Sequence, residues 1–193
     1  MALTHYWYRK DKLNTKEFKA FSEDVDKILK TSCVPLTHFS GNSENNGFEV
    51  NENIINFNGK GKNSHETFYI EREIKEKVNI KDEGRVFEFC KTAGKPYDMC
   101  VTAALILAKV HLGSDIKVTS DGKEGDWQAG KELASKVLKG KLDIEFDDEN
   151  NGKGLIVYYE EAKVKVPPED PAIKERERRL MKEADPLIEE IIG

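Results

Sequence analysis

Residues 89–112 read Phe-Cys-Lys-Thr-Ala-Gly-Lys-Pro-Tyr-Asp-Met-Cys-Val-Thr-Ala-Ala-Leu-Ile-Leu-Ala-Lys-Val-His-Leu, and the stretch from Met99 onward decides the fold. From Met99 to Leu112 almost every side chain is apolar or small. A helix apolar nearly all round has no solvent face, so it belongs at the centre of a core. Gly113 ends the run where a helix stop is expected. Pro96 suits the first turn, where its missing N–H removes no intrahelical bond. The run is too short and too interrupted to span a bilayer, which needs roughly 20 residues.

Working outward, the segment before this helix alternates Val86, Glu88 and Cys90 with Phe87 and Phe89. This is the pattern of an antiparallel strand with one wetter face. Similar strands are expected at residues 3–9, 53–58, 66–71 and 116–120. The segments 142–146 and 155–159 read as a hairpin joined by an acidic loop. Asn14, with Glu17 three residues on, opens an amphipathic helix over 15–30, whose apolar residues are Phe18, Phe21, Val25, Ile28 and Leu29. A third helix is expected after Asp126, with Trp127, Ala134, Val137 and Leu138 on one face and Gly140 at its end. Strands and helices do not alternate strictly. The pattern therefore predicts an α+β fold, a mostly antiparallel sheet of about seven strands packed with three helices, over residues 1–166. Residues 167–193 change in character. Pro167-Pro168-Glu169-Asp170 is a stiff hinge into a charged helical tail ending in Leu187, Ile188, Ile191 and Ile192. Residues 171–192 thus offer a docking stripe, either onto the domain or onto a second copy or partner.

The composition narrows the classes. The chain has 193 residues, 38% hydrophobic and 35% charged, enough for one sizeable core. A formal net charge of −5 gives no global pull on nucleic acid or an anionic membrane, so any anion site must be local. Cys33, Cys90 and Cys100 are odd in number and widely spaced, which fits reduced thiols in a cytoplasmic protein rather than disulfides or a metal site. The N-terminal residues lack the basic start and apolar stretch of a signal peptide. His5, His38, His65 and His111 show no metal-binding spacing, so no metal and no cofactor is expected.

The most distinctive segment is the loop from Cys90 to Asp98. It leaves a strand, passes a glycine and enters the buried helix. A helix start offers unpaired N–H groups and a partial positive charge, and Lys91, Thr92 and Lys95 lie beside it. It is not a P-loop, because Lys95 is followed by proline and only one glycine is present. Asp98 stands in the first helical turn, where it either complements the helix dipole or pairs with a lysine. His65-Glu66 is a weaker candidate for general acid–base work. Cys90 beside Lys91 reads as core packing, with an activated thiol the alternative. Tyr97 and Trp127 are aromatics placed to stack on a ligand ring.

The segments Thr4-His5-Tyr6-Trp7, Ile55-Asn56-Phe57-Asn58-Gly59, His65-Glu66-Thr67-Phe68, the Phe89–Asp98 loop and Ser120-Asp121-Gly122 follow one another in a specific order. In this the chain, over roughly residues 2–138, resembles a family of uncharacterised proteins encoded by bacteria and by bacterial and large DNA viruses. The resemblance implies no activity and carries over no catalytic residue. If the protein is one of the family's viral members, capture of a host nucleotide signal is the role its setting suggests.

These readings converge on a binding protein for a small anionic, nucleotide-like molecule. Lys91, Thr92 and Lys95 would hold the anion, with Asp98, His5 and Asn58 nearby and Tyr97 or Trp127 stacking. The alternatives are a hydrolase or transferase with His65 or Glu66 as base, and an interaction module acting through the tail, with a homo-oligomer as one form. Neither nucleic acid nor membrane is an expected partner.

Overall fold

The computed structural model describes residues 3–38, 47–75, 80–81, 84–147 and 153–162. The expected helical tail lies outside them, and residues 1–161 form one compact unit. Its strands are β1 (Thr4–Arg9), β2 (Leu36–Thr37), β3 (Glu49–Val50), β4 (Ile54–Gly59), β5 (Phe68–Glu71), β6 (Ile80–Lys81), β7 (Arg85–Lys91), β8 (Ile116–Ser120), β9 (Gly140–Asp147) and β10 (Lys153–Glu161). Three helices join them: α1 (Thr15–Thr31), α2 (Asp98–Leu112) and α3 (Gln128–Ser135). The fold is α+β. All seven expected strand segments are strands, but they divide between two antiparallel sheets, and three two-residue strands add to them.

The larger sheet has six strands in the order β6-β7-β1-β8-β10-β9. β1 sits between β7 and β8, with His5 opposite both Cys90 and Ser120. In the smaller sheet β4 is the common strand, pairing with β2, β3 and β5. By sequence, residues 37–52 are rich in Ser, Asn and Gly and read as a loop; β3 falls within that stretch and β2 at its start, because two-residue pairings leave no periodicity to detect.

Helix α2 is the centre of the core. Every residue from Cys100 to Ala108 is buried, and the helix packs on α1, α3, β8 and β10. Each large aliphatic side chain sequestered this way contributes about 1.5–3 kcal/mol. No helix among the described residues is long and apolar enough to cross a membrane. Helix α1 begins at Asn14, whose side-chain oxygen accepts from the N–H groups of Lys16 at 2.9 Å and Glu17 at 3.2 Å. Asp126 caps an earlier turn than expected. It lies in a short 3₁₀ segment, Glu124–Trp127, and its carboxylate takes the Lys123 N–H at 2.7 Å. Helix α3 correspondingly stops at Ser135, and Gly140 is the first residue of β9. His111 does more than complement the end of α2: its Nε2 meets Asp24 of α1 at 2.9 Å and ties the two helices together.

Candidate functional site

One end of the larger sheet brings together the start of β1, the end of β7, the end of β8 and the start of α2. His5 is fully buried there. Its Nε2 lies 2.9 Å from Asp98 Oδ1 and its Nδ1 lies 3.0 Å from Ser120 Oγ. With an ionised Asp98, Nε2 carries the proton and Nδ1 accepts from the serine hydroxyl. Ser120 Oγ also accepts the Gly122 N–H at 3.0 Å. Thr92 Oγ1 completes the group by hydrogen bonding to the same Asp98 oxygen. The connectivity is that of a nucleophile, a base and an orienting acid. However, Ser120 is only 4% exposed and Asp98 8%, so no reactant reaches them in this state. As it stands, the network is a buried polar clamp between β1, β8 and α2.

The loop from Thr92 to Tyr97 is folded on itself. The N–H groups of Thr92 and Ala93 both donate to Leu3 O, at 3.0 and 3.1 Å. Lys95 N–H donates to Thr92 O at 3.1 Å and Asp98 N–H to Lys95 O at 2.8 Å. Ala93 and Gly94 both take positive φ, 53° and 65°, which makes the sharp turn from β7 into α2. These amides are therefore engaged within the protein, and the positive charge available to a ligand comes from lysines. Lys91 and Lys95 are both half-buried, and Lys95 Nζ reaches Lys62 O at 3.1 Å.

That lysine contact draws in the second sheet. Glu66 Oε2 accepts the Lys91 N–H at 2.8 Å, and Glu66 O accepts the Tyr97 hydroxyl at 2.6 Å. Asn58 holds the His65 backbone from both sides, Nδ2 donating to His65 O at 3.0 Å and Oδ1 accepting His65 N–H at 3.2 Å. At Gly59 a Cβ would lie 2.1 Å from Asn63 O and 3.0 Å from Tyr97 Cδ1, so only glycine lets these loops close. The His65 ring itself is exposed.

Of the expected site residues, His5, Thr92 and Asp98 meet in the buried clamp, and Lys91, Lys95, His65 and Glu66 form its rim. Asn58 acts through the His65 backbone. Tyr97 and Trp127 are fully buried, so neither presents a face to a ligand in this state. Trp127 packs edge-on to His5 at 5.1 Å, and its indole N–H has no hydrogen-bond partner. Burial pushes the Cys90 thiol strongly up, which favours the packing role over an activated nucleophile. Sequence reasoning assigned no role to Ser120 or Lys62. The Ser-Asp-Gly turn was visible, but its pairing with His5 depends on strand order, which local pattern does not encode. Among the described residues no group of three or more His, Cys, Asp or Glu side chains is arranged to hold a metal.

Comparison of the chain with protein-family models, with curated proteins and with solved structures finds no match.

Proposed function

We propose that the protein binds a small anionic, nucleotide-like ligand at the rim formed by residues 60–66 and 91–96. The observation that supports this is a local reversal of charge. These two segments carry Lys60, Lys62, Lys91 and Lys95 against a single acid, Glu66, in a chain whose formal net charge is −5. The Glu66 carboxylate is already engaged by the Lys91 N–H. Lysines held close to partly desolvated surface attract an anion more strongly than fully hydrated ones. The buried clamp beneath them, His5–Asp98–Ser120–Thr92, fixes the loop so that the lysines are presented without a large ordering cost.

Binding without turnover is the reading favoured by the side chains present. Glu66 is occupied as an acceptor, and the exposed His65 ring has no described acid–base partner. If the chain is one of the viral members of the family it resembles, such a protein would withdraw a host nucleotide signal.

Thermal unfolding with adenosine monophosphate, pyrophosphate and adenosine provides the test. The phosphorylated probes raise the midpoint and adenosine does not. Lys91→Ala and Lys95→Ala each abolish the rise while leaving the midpoint of the free protein unchanged. A rise of equal size in both variants, or no rise with either phosphorylated probe, counts against the proposal.

A further inference from the structure

Glu66, the single acid among the lysines of residues 60–66 and 91–96, is half-buried and bonded wholly to the far segment. Its backbone N–H donates to Lys91 O at 3.2 Å. Its carbonyl accepts from the Tyr97 hydroxyl at 2.6 Å and from the Cys90 thiol at 3.4 Å. The side chain adds a fourth contact across the same junction, Oε2 accepting the Lys91 N–H at 2.8 Å. Three of these four bonds belong to the backbone and do not need the carboxylate.

The acceptors along the loop set the fourth bond apart. The N–H groups of Thr92, Ala93, Lys95 and Asp98 go to backbone carbonyls, and that of Gly94 goes to the Thr92 hydroxyl at 3.3 Å. Lys91 gives its N–H to an anion. Among the described residues the Glu66 carboxylate makes no ion pair with any lysine of the two segments. It is thus held by a backbone N–H within a region of lysine charge, the setting that a phosphate oxygen also seeks.

We infer, on the basis of the lysine-rim reading, that the Glu66 carboxylate is a built-in competitor: it occupies the seat of the ligand's anionic group at the Lys91 N–H, and a phosphate displaces it. The side chain swings out while its backbone bonds keep the two segments joined. This exchange selects the ligand class. A tethered carboxylate acts at an effective concentration in the millimolar range or above. A singly charged anion replaces it charge for charge and gains little. A terminal phosphate or pyrophosphate brings more than one negative charge and gains further attraction from the lysines. The preferred ligand therefore ends in a phosphomonoester or pyrophosphate group rather than a carboxylate or a phosphodiester.

Isothermal titration calorimetry of the full chain near neutral pH, with AMP, pyrophosphate and cyclic AMP, tests this. AMP carries about two charges there and the cyclic diester one. Wild type binds AMP and pyrophosphate more tightly than cyclic AMP. Glu66→Gln removes the charge but keeps an acceptor, and it tightens AMP binding by about tenfold. Glu66→Ala also frees the Lys91 N–H, so it tightens AMP at least as much and narrows the gap to cyclic AMP. Unchanged far-UV circular dichroism confirms that both variants fold. If wild type binds AMP but neither variant binds it more tightly, the inference is overturned and the lysine rim stands. Tightening with Gln and weakening with Ala also overturns it, and makes the carboxylate a positioning contact. Equal wild-type affinity for AMP and cyclic AMP overturns the charge selection. No binding by wild type or either variant removes the lysine rim and the competitor together. Binding by the variants alone supports the competitor, since the carboxylate then outmatches the probes.

Discussion

Ala93 shows at single-residue scale how the sequence is bent to the needs of the site. A non-glycine residue at φ 53° is uncommon, and here it precedes Gly94 at 65°, so the chain reverses within two residues and delivers Asp98 to His5. The three cysteines show the same dependence on local surroundings. Cys33 is exposed just after α1, whereas Cys90 and Cys100 are buried. Burial pushes the Cys100 thiol up to about 11, and Cys90 higher still, so neither supplies thiolate at neutral pH. Reaction with a thiol-exchange reagent at neutral pH will therefore label Cys33 alone in the native protein and all three after denaturation. A second thiol reacting as fast as Cys33 would mean that the Cys90 loop or α2 opens readily.

Between elements, packing is decided by single close approaches. At Gly130 of α3 a Cβ would lie 2.1 Å from Thr102 Oγ1 and 2.8 Å from the Ala103 nitrogen, both on α2. Gly130→Ala will push α3 away from α2 and destabilise the fold by about 1–3 kcal/mol, despite the better helix propensity of alanine. Urea denaturation measures this, and an unchanged or higher midpoint would show that the helix interface gives way cheaply. The sequence exposes such contacts poorly. Periodicity located α1, α2 and all seven longer strands, because each buries one face or all of itself and leaves a regular pattern. It could not divide the strands between two sheets. β1 and β8 are neighbours although α1, the smaller sheet and α2 intervene in the chain, and that pairing alone brings His5 to Ser120. The Cys90–Asp98 loop was legible as a candidate site from Lys91, Lys95 and the glycine. Its folding back onto Leu3 was not, because a backbone carbonyl carries no sequence signature.

For the whole molecule, charge and burial set opposite limits on stability with pH. On the acid side the group to follow is Asp24. Burial alone would raise its pKa, but hydrogen bonds from His111 and Lys27 outweigh that and hold the carboxyl below its ordinary value of 3.8. A folded value below the unfolded one gives stability that is full above the unfolded pKa and lost as pH falls through the folded pKa. On the alkaline side the order reverses. The thiols of Cys90 and Cys100 are raised above an ordinary 9.0 by burial, so their contribution is full below that value. It is lost as pH rises, for Cys100 through about 11. Stability should therefore form a plateau between roughly pH 4 and pH 9 and fall on both sides. Denaturant midpoints measured below about pH 4 and above about pH 9 test the two limbs separately. Asp24→Asn will lower the plateau by about 1 kcal/mol and flatten the acid limb, because the tie between α1 and α2 no longer titrates. Cys100→Ala will lower the plateau for a different reason, the lost packing, and will flatten only the alkaline limb. An acid limb unchanged by Asp24→Asn would mean that other carboxylates govern acid unfolding. An alkaline limb unchanged by Cys100→Ala would place that transition on Cys90 and on Tyr97, whose phenol burial also raises.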